Sequence, residues 1–157
     1  MEPLLKIDHL TTVFRTFEGE IRAVNDVSME VQKGEILGLV GESVCGKSVT
    51  SLSVMGLLPR KNAKIKSGSI QFDGRELTTL SNREYNQLRG EELSMIFQEP
   101  MTSLNPVFTI ENQLREVLKN HHKSMSKEEC RTRILEILNK VGIPGAEHVM
   151  RQYPHQL

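Results

Sequence analysis

Val27, Met29 and Val31 alternate with Ser28 and Glu30, the two-residue period of a half-buried strand. An extended segment precedes it, from about Leu4 to Phe17. Glu18-Gly19-Glu20 between the two predicts a hairpin turn. After the turn pair Lys33-Gly34 comes Ile36-Leu37-Gly38-Leu39-Val40, an apolar run bounded by glycines. Such a run predicts a strand buried on both faces, the usual state in a parallel sheet covered by helices. Helical spacing then takes over. Val49, Leu52, Met55 and Leu58 predict a helix from about Gly46 to Leu58, stopped by Pro59. Residues 60–67 are polar and basic and predict a surface loop. Ser69 to Phe72 reads as a strand closed by the turn pair Asp73-Gly74. Ser81 and Glu84 form a capping-box pattern for a helix over residues 82–89. Leu93-Ser94-Met95-Ile96-Phe97 predicts a further short strand.

Beyond Pro106 the pattern is helical. One helix is predicted over Ile110 to Asn120, and Ser126 with Glu129 offers a second capping box. Ile134, Ile137, Leu138 and Val141 then make an apolar face at i, i+3, i+4 and i+7. Gly142 and Pro144 end that helix. The fold class is therefore α/β: strands, a βα unit, a strand, a helix, a strand, then an appended helical region.

Composition narrows the function. The chain has 157 residues, the length of one ordinary domain. Twenty Lys and Arg balance twenty Asp and Glu, which argues against a dedicated nucleic-acid binder. The apolar share, about 45% with glycine included, belongs to a globular chain and not a disordered one. No stretch approaches the ~18 uninterrupted apolar residues of a spanning helix. The first residues lack the basic and apolar regions of a secretory signal. Cys45 and Cys130 stand far apart with no metal-ligand spacing, and the five His do not cluster with them.

The strongest motif is Gly41-Glu42-Ser43-Val44-Cys45-Gly46-Lys47-Ser48, which fits G-x-x-x-x-G-K-[ST]. A predicted strand runs into it and a predicted helix, opening through Val49, leaves it. Backbone N–H groups can wrap a phosphate where side chains do not block the approach, and the helix N-terminus adds partial positive charge. In this reading Lys47 reaches the β- and γ-phosphates and the Ser48 hydroxyl ligates Mg²⁺. The motif by itself predicts a nucleoside triphosphate. No [NT]-K-x-D pattern for reading guanine occurs, which argues against a GTPase.

Phe97-Gln98-Glu99-Pro100-Met101-Thr102-Ser103-Leu104-Asn105-Pro106 makes the resemblance specific. With Gly41-Glu42-Ser43, Met55-Gly56-Leu57-Leu58, Ser67-Gly68-Ser69-Ile70, Phe72-Asp73-Gly74 and Tyr153-Pro154-His155-Gln156-Leu157, the chain resembles the ATP-binding subunits of ABC transporters. The branch it resembles imports dipeptides, oligopeptides or nickel. The resemblance implies a P-loop NTPase-type core over residues 35–105, ending at the Q-loop. An N-terminal antiparallel β subdomain would occupy residues 1–34, and the start of a helical subdomain residues 106–157. It implies ATP and Mg²⁺ as cofactors, and permease membrane subunits and a second ATP-binding subunit as partners. The chain would then sit on the cytoplasmic face of the membrane, held there through the permease. Gln98 resembles the Q-loop glutamine, which touches Mg²⁺ or the attacking water. Phe14 resembles the aromatic residue that stacks on adenine, with Phe17 as its rival.

Two departures qualify the resemblance. Position 44 is Val where the family has Gly, and a β-branched residue is costly if φ is positive there. Leu157 would open the signature motif, so the signature, the catalytic Glu and the switch His lie beyond these residues. His155 precedes the signature and does not take the switch role. An exposed sheet edge is the expected structural consequence. The expectation is a chain that does not hydrolyse ATP alone. It would be either the N-terminal portion of a transport ATPase or a truncated, non-hydrolysing nucleotide-binding remnant. A small P-loop kinase is a third reading, and the Gln98 segment counts against it.

Overall fold

The computed structural model describes residues 2–43, 45–97 and 103–157. The chain forms two compact units, Met1–Arg89 and Gly90–Leu157.

In the first unit, β1 (Leu5–Thr16) and β2 (Gly19–Val31) form a long hairpin. β3 (Ala63–Phe72) pairs with the other side of β1, and β4 (Arg75–Glu76) with β3. The sheet order is β2-β1-β3-β4, with every pair antiparallel. Ile7, Leu10 and Val13 of β1 are buried with Val24, Ile70, Phe72 and Leu77. Two helices accompany the sheet, α1 (Lys47–Val54) and α2 (Asn82–Leu88). The capping box of Ser81 and Glu84 starts α2 as its sequence predicts.

A buried polar pair ties α1 to the sheet. Thr12 Oγ1 lies 3.0 Å from Ser53 Oγ, and the Ser53 hydroxyl donates to Val49 O at 2.7 Å. With its proton committed to the helix, Ser53 accepts from Thr12. A buried hydroxyl left unpaired would cost about 1–3 kcal/mol, so this link holds α1 in place along β1. The buried side of α1 carries Thr50 and Ser53, while Val49 and Leu52, expected to face the core, are half-buried. The guanidinium of Arg89 closes the other end, donating to Met55 O and Gly56 O at 2.8 Å each.

In the second unit, α3 (Ile110–His121), α4 (Lys127–Lys140) and α5 (Ala146–Val149) precede a 3-10 turn at Pro154–Gln156. The Ser126 and Glu129 capping box starts α4. Ile134, Leu138, Ala146 and Met150 form the core, with Leu114, Leu118, Leu135 and Ile143 against it. The buried stripe of α4 is Cys130, Ile134 and Leu138, at i, i+4 and i+8. Ile137 and Val141 are exposed, so the expected apolar face is rotated toward Cys130.

Three sequence expectations need correction. Ile36–Val40 is not a buried parallel strand. It pairs with nothing among the described residues, and Ile36 and Val40 are almost fully exposed. Ser94–Phe97 is likewise unpaired, with Ile96 exposed. Hydrophobicity favours burial, but a strand needs a partner to satisfy its N–H and C=O groups. The described sheet ends at β2 and β4 without offering one to either run. The basic stretch at residues 60–67 is not all loop, because β3 begins at Ala63. Ala63 and Ile65 alternate with Lys64 and Lys66, a two-residue period concealed by the charge of the second set.

Candidate functional site

The motif residues from Gly41 to Ser48 connect the unpaired Ile36–Val40 run to α1. Gly46 is the N-cap of α1, with φ 93° and ψ −2°. A Cβ there would lie 2.4 Å from the Ala23 carbonyl oxygen on β2. Both the left-handed backbone and the close approach of β2 therefore demand glycine. No side chain caps the helix and no acid stands in its first turn. Its first N–H groups and the positive end of its dipole are left for an anion.

Lys47 folds back over the loop. Its ammonium donates to Gly41 O at 2.7 Å, Glu42 O at 2.6 Å and Cys45 Sγ at 3.2 Å. The three donors of the ammonium thus converge on one small ring of loop atoms. Ser48 is exposed at the first turn of α1, and Ser43 is exposed in the turn before it. Val44 and Gln98 lie outside the described residues.

A hollow of about 280 Å³ opens beside this loop, lined by Phe14, Ala23, Cys45, Gly46, Lys47, Ser48 and Val49. Phe14, half-buried on β1, thus shares one cavity with the motif lysine and serine. Phe17 is wholly exposed at the hairpin turn and does not line it. Ala23 escapes sequence reasoning entirely. Its importance comes from its carbonyl meeting Gly46, and only the pairing of β2 with β1 creates that meeting. Of two wider hollows on the second unit, one of about 700 Å³ is lined by Glu111, Arg115 and Arg131 of α3 and α4, and one of about 640 Å³ by α4 side chains such as Glu129, Arg133 and Glu136. Arg115 and Arg131 are both ion-paired to Glu111, and neither hollow is lined by a motif residue.

The described residues fit a nucleotide phosphate chain. A cradle closed to any Cβ at Gly46, an uncapped helix N-terminus, a convergent ammonium and an exposed hydroxyl meet at one hollow.

The hydrogen bond from the Lys47 ammonium holds the Cys45 thiol below its ordinary pKa. Cys130 is fully buried on α4. Native chain is therefore expected to be alkylated by iodoacetamide at Cys45 first, with a rate-pH midpoint below that of a free thiol. Lys47→Ala should move that midpoint upward. An unmoved midpoint would mean that the contact does not set the thiol's acidity.

Residues 24–157 match the ABC transporter domain. An oligopeptide transport ATP-binding protein of Bacillus subtilis (strain 168) is 49% identical over the whole chain, which covers 48% of that protein. A dipeptide transport ATP-binding protein of the same strain is 48% identical over 99% of the chain and 46% of its own length. The chain thus spans about half the length of the curated relatives it matches. Among solved structures, a dimeric ATP-binding cassette in a post-hydrolysis state with ADP and Pi superposes with a TM-score of 0.80 at 25% identity. That alignment covers 98% of this chain and 62% of the other. A dimeric bacterial ABC transporter cassette gives a TM-score of 0.83 at 25% identity and the same coverage.

Proposed function

The chain belongs to the ABC transporter family, and on that premise we propose that it works as the N-terminal portion of an ATP-binding subunit in an importer of peptides or a related solute such as nickel. The observation that carries this reading is that Lys47, whose ammonium converges on the loop, lines one hollow with Phe14 and the first turn of α1. In this reading the triphosphate lies against the N–H groups of the Gly41–Ser48 loop. Lys47 exchanges its loop carbonyls for β- and γ-phosphate oxygens. Phe14 stacks on adenine, an arrangement that suits a flat π-face. The Ser48 hydroxyl and Gln98 would hold Mg²⁺, which would supply positive charge to the phosphates. The partners are permease subunits and a second ATP-binding subunit. No helix among the described residues is long and apolar enough to cross a membrane.

Equilibrium titration with a fluorescent ATP analogue and Mg²⁺ tests the reading. Saturable binding, displaced by ATP and not by AMP, is expected, since AMP lacks the β- and γ-phosphates that Lys47 addresses. No binding would end the proposal.

Val44 favours a second, narrower reading: a remnant that binds nucleotide weakly. If the loop needs positive φ at that position, the valine strains the cradle by about 1–3 kcal/mol. Val44→Gly is then expected to tighten ATP binding about tenfold. Equal affinities for the two chains would remove Val44 as a handicap.

A further inference from the structure

On the first unit, away from the motif, the chain concentrates positive charge. The turn after α1 carries Arg60 and Lys61, and β3 continues with Lys64 and Lys66. The strand register brings Arg15 to the same place, because Phe14 pairs with Ala63 and Arg15 N–H donates to Asn62 O at 2.7 Å. Arg15, Arg60, Lys61, Asn62, Ala63 and Lys64 line one hollow of about 160 Å³. That is about five waters' worth of liquid volume, far less than a drug-sized ligand requires.

Four cations around one small hollow are a local anomaly in a chain with no net charge. Their mutual repulsion opposes folding unless something offsets it. The protein itself supplies little. Glu20, the acid beside them, is engaged by Lys66. The Arg60 guanidinium donates to Asn82 Oδ1, a neutral acceptor. The Glu20 carboxylate, opposite Arg15 in the β1–β2 register, also answers Arg15 and Lys64 through space, while Arg15, Lys61 and Lys64 form no ion pair of their own among the described residues.

We propose that Arg15, Arg60, Lys61 and Lys64 form a second anion site that takes a phosphate group, carried either by a free phosphate anion or by a lipid headgroup. The charge count selects phosphate over a carboxylate, since one carboxylate would leave most of the cluster uncompensated. The two guanidinium groups supply the planar donor forks that match phosphate oxygens. The four residues come from two segments brought together by the β1–β3 pairing, so the site belongs to the folded sheet and not to a basic tail. An anion here would be held by Arg15, the residue after Phe14 on β1.

The test uses the 157-residue chain carrying Lys47→Ala, so that the phosphate loop does not answer for the second site. Inorganic pyrophosphate is titrated calorimetrically, and in parallel the chain is floated with phosphatidylglycerol or phosphatidylcholine vesicles. Adding Lys61→Gln and Lys64→Gln should weaken binding about tenfold in whichever arm binds. Both side chains are exposed, so the fold should survive, as far-UV circular dichroism will register. Removing two cations elsewhere, Lys123→Gln and Lys127→Gln, should leave binding unchanged. Pyrophosphate binding without vesicle binding assigns the free anion as the source, and selective flotation with phosphatidylglycerol assigns the headgroup. The proposal is overturned if neither probe binds, or if both double substitutions weaken binding equally. ATP binding by a chain with native Lys47 and the Lys61→Gln/Lys64→Gln pair is read separately, so the two sites stand or fall independently.

Discussion

Lys47→Ala is expected to weaken ATP binding about a hundredfold, with the far-UV spectrum unchanged. A hydrogen bond to a charged group contributes about 1.5–3 kcal/mol, and each 1.4 kcal/mol is tenfold in affinity. The loss is a difference, because the ammonium already donates to Gly41 O, Glu42 O and Cys45 Sγ. In the proposed complex those acceptors would be exchanged for phosphate oxygens bearing full charge, and the exchange is what the alanine would forfeit. Lys47→Arg separates charge from shape. A planar guanidinium cannot converge on Gly41 O and Glu42 O as a point charge does, so it should rescue little. Lys47→Ala binding ATP within about threefold of the native chain would refute the assignment of Lys47 to the phosphates.

The largest effect on stability is expected from Gly68→Ala. Gly68 has φ 91°, and a Cβ there would lie 2.5 Å from His9 O and 2.6 Å from Asp8 O. Both obstacles are backbone of the central strand, which cannot rotate away as a side chain could. The register of β1 against β3 slips at this point, between Asp8 and Thr11. His9, at φ 49°, is held there by its N–H to Ser28 Oγ and by its ring to Asp26 Oδ1 at 2.7 Å. Alanine should cost about 3–5 kcal/mol, combining the strained backbone with a clash that must displace a strand. Gly34→Ala is the control. Its φ is 80° but nothing lies within 4 Å of the added carbon, so about 1–2 kcal/mol is expected. Urea unfolding compares the two, and equal losses would mean that the clash relaxes freely. Because Phe14 pairs with Ala63 beyond the slip, Gly68→Ala should also weaken ATP binding.

Local chemistry made much of the chain legible. The capping boxes at Ser81 and Ser126 predict helix starts that the structure has, because a cap satisfies its own orphan donors within four residues. The Glu18-Gly19-Glu20 turn predicts the β1–β2 hairpin, which turns one residue earlier. The phosphate motif was equally visible, since its glycines, lysine and serine are adjacent in the chain. The failures have a different origin. Ile36–Val40 has the apolarity of a central strand, yet apolarity does not supply a hydrogen-bonding partner. The start of β3 was hidden because Lys64 and Lys66 read as loop residues until β1 lies beside them.

By itself, then, the sequence determined the family, the local elements with their caps and turns, and the Gly41–Ser48 motif on which the proposed phosphate site rests. Each depends on groups separated by a few bonds along the chain. Only the tertiary structure decided that Phe14 and not Phe17 lines the hollow beside Lys47, that the Ala23 carbonyl makes Gly46 obligatory, and that Arg15 joins the basic stretch after α1. Those three outcomes rest on the register of β1 against β2 and β3. Register is set by which faces are buried and where the strands slip, and no single segment carries that information.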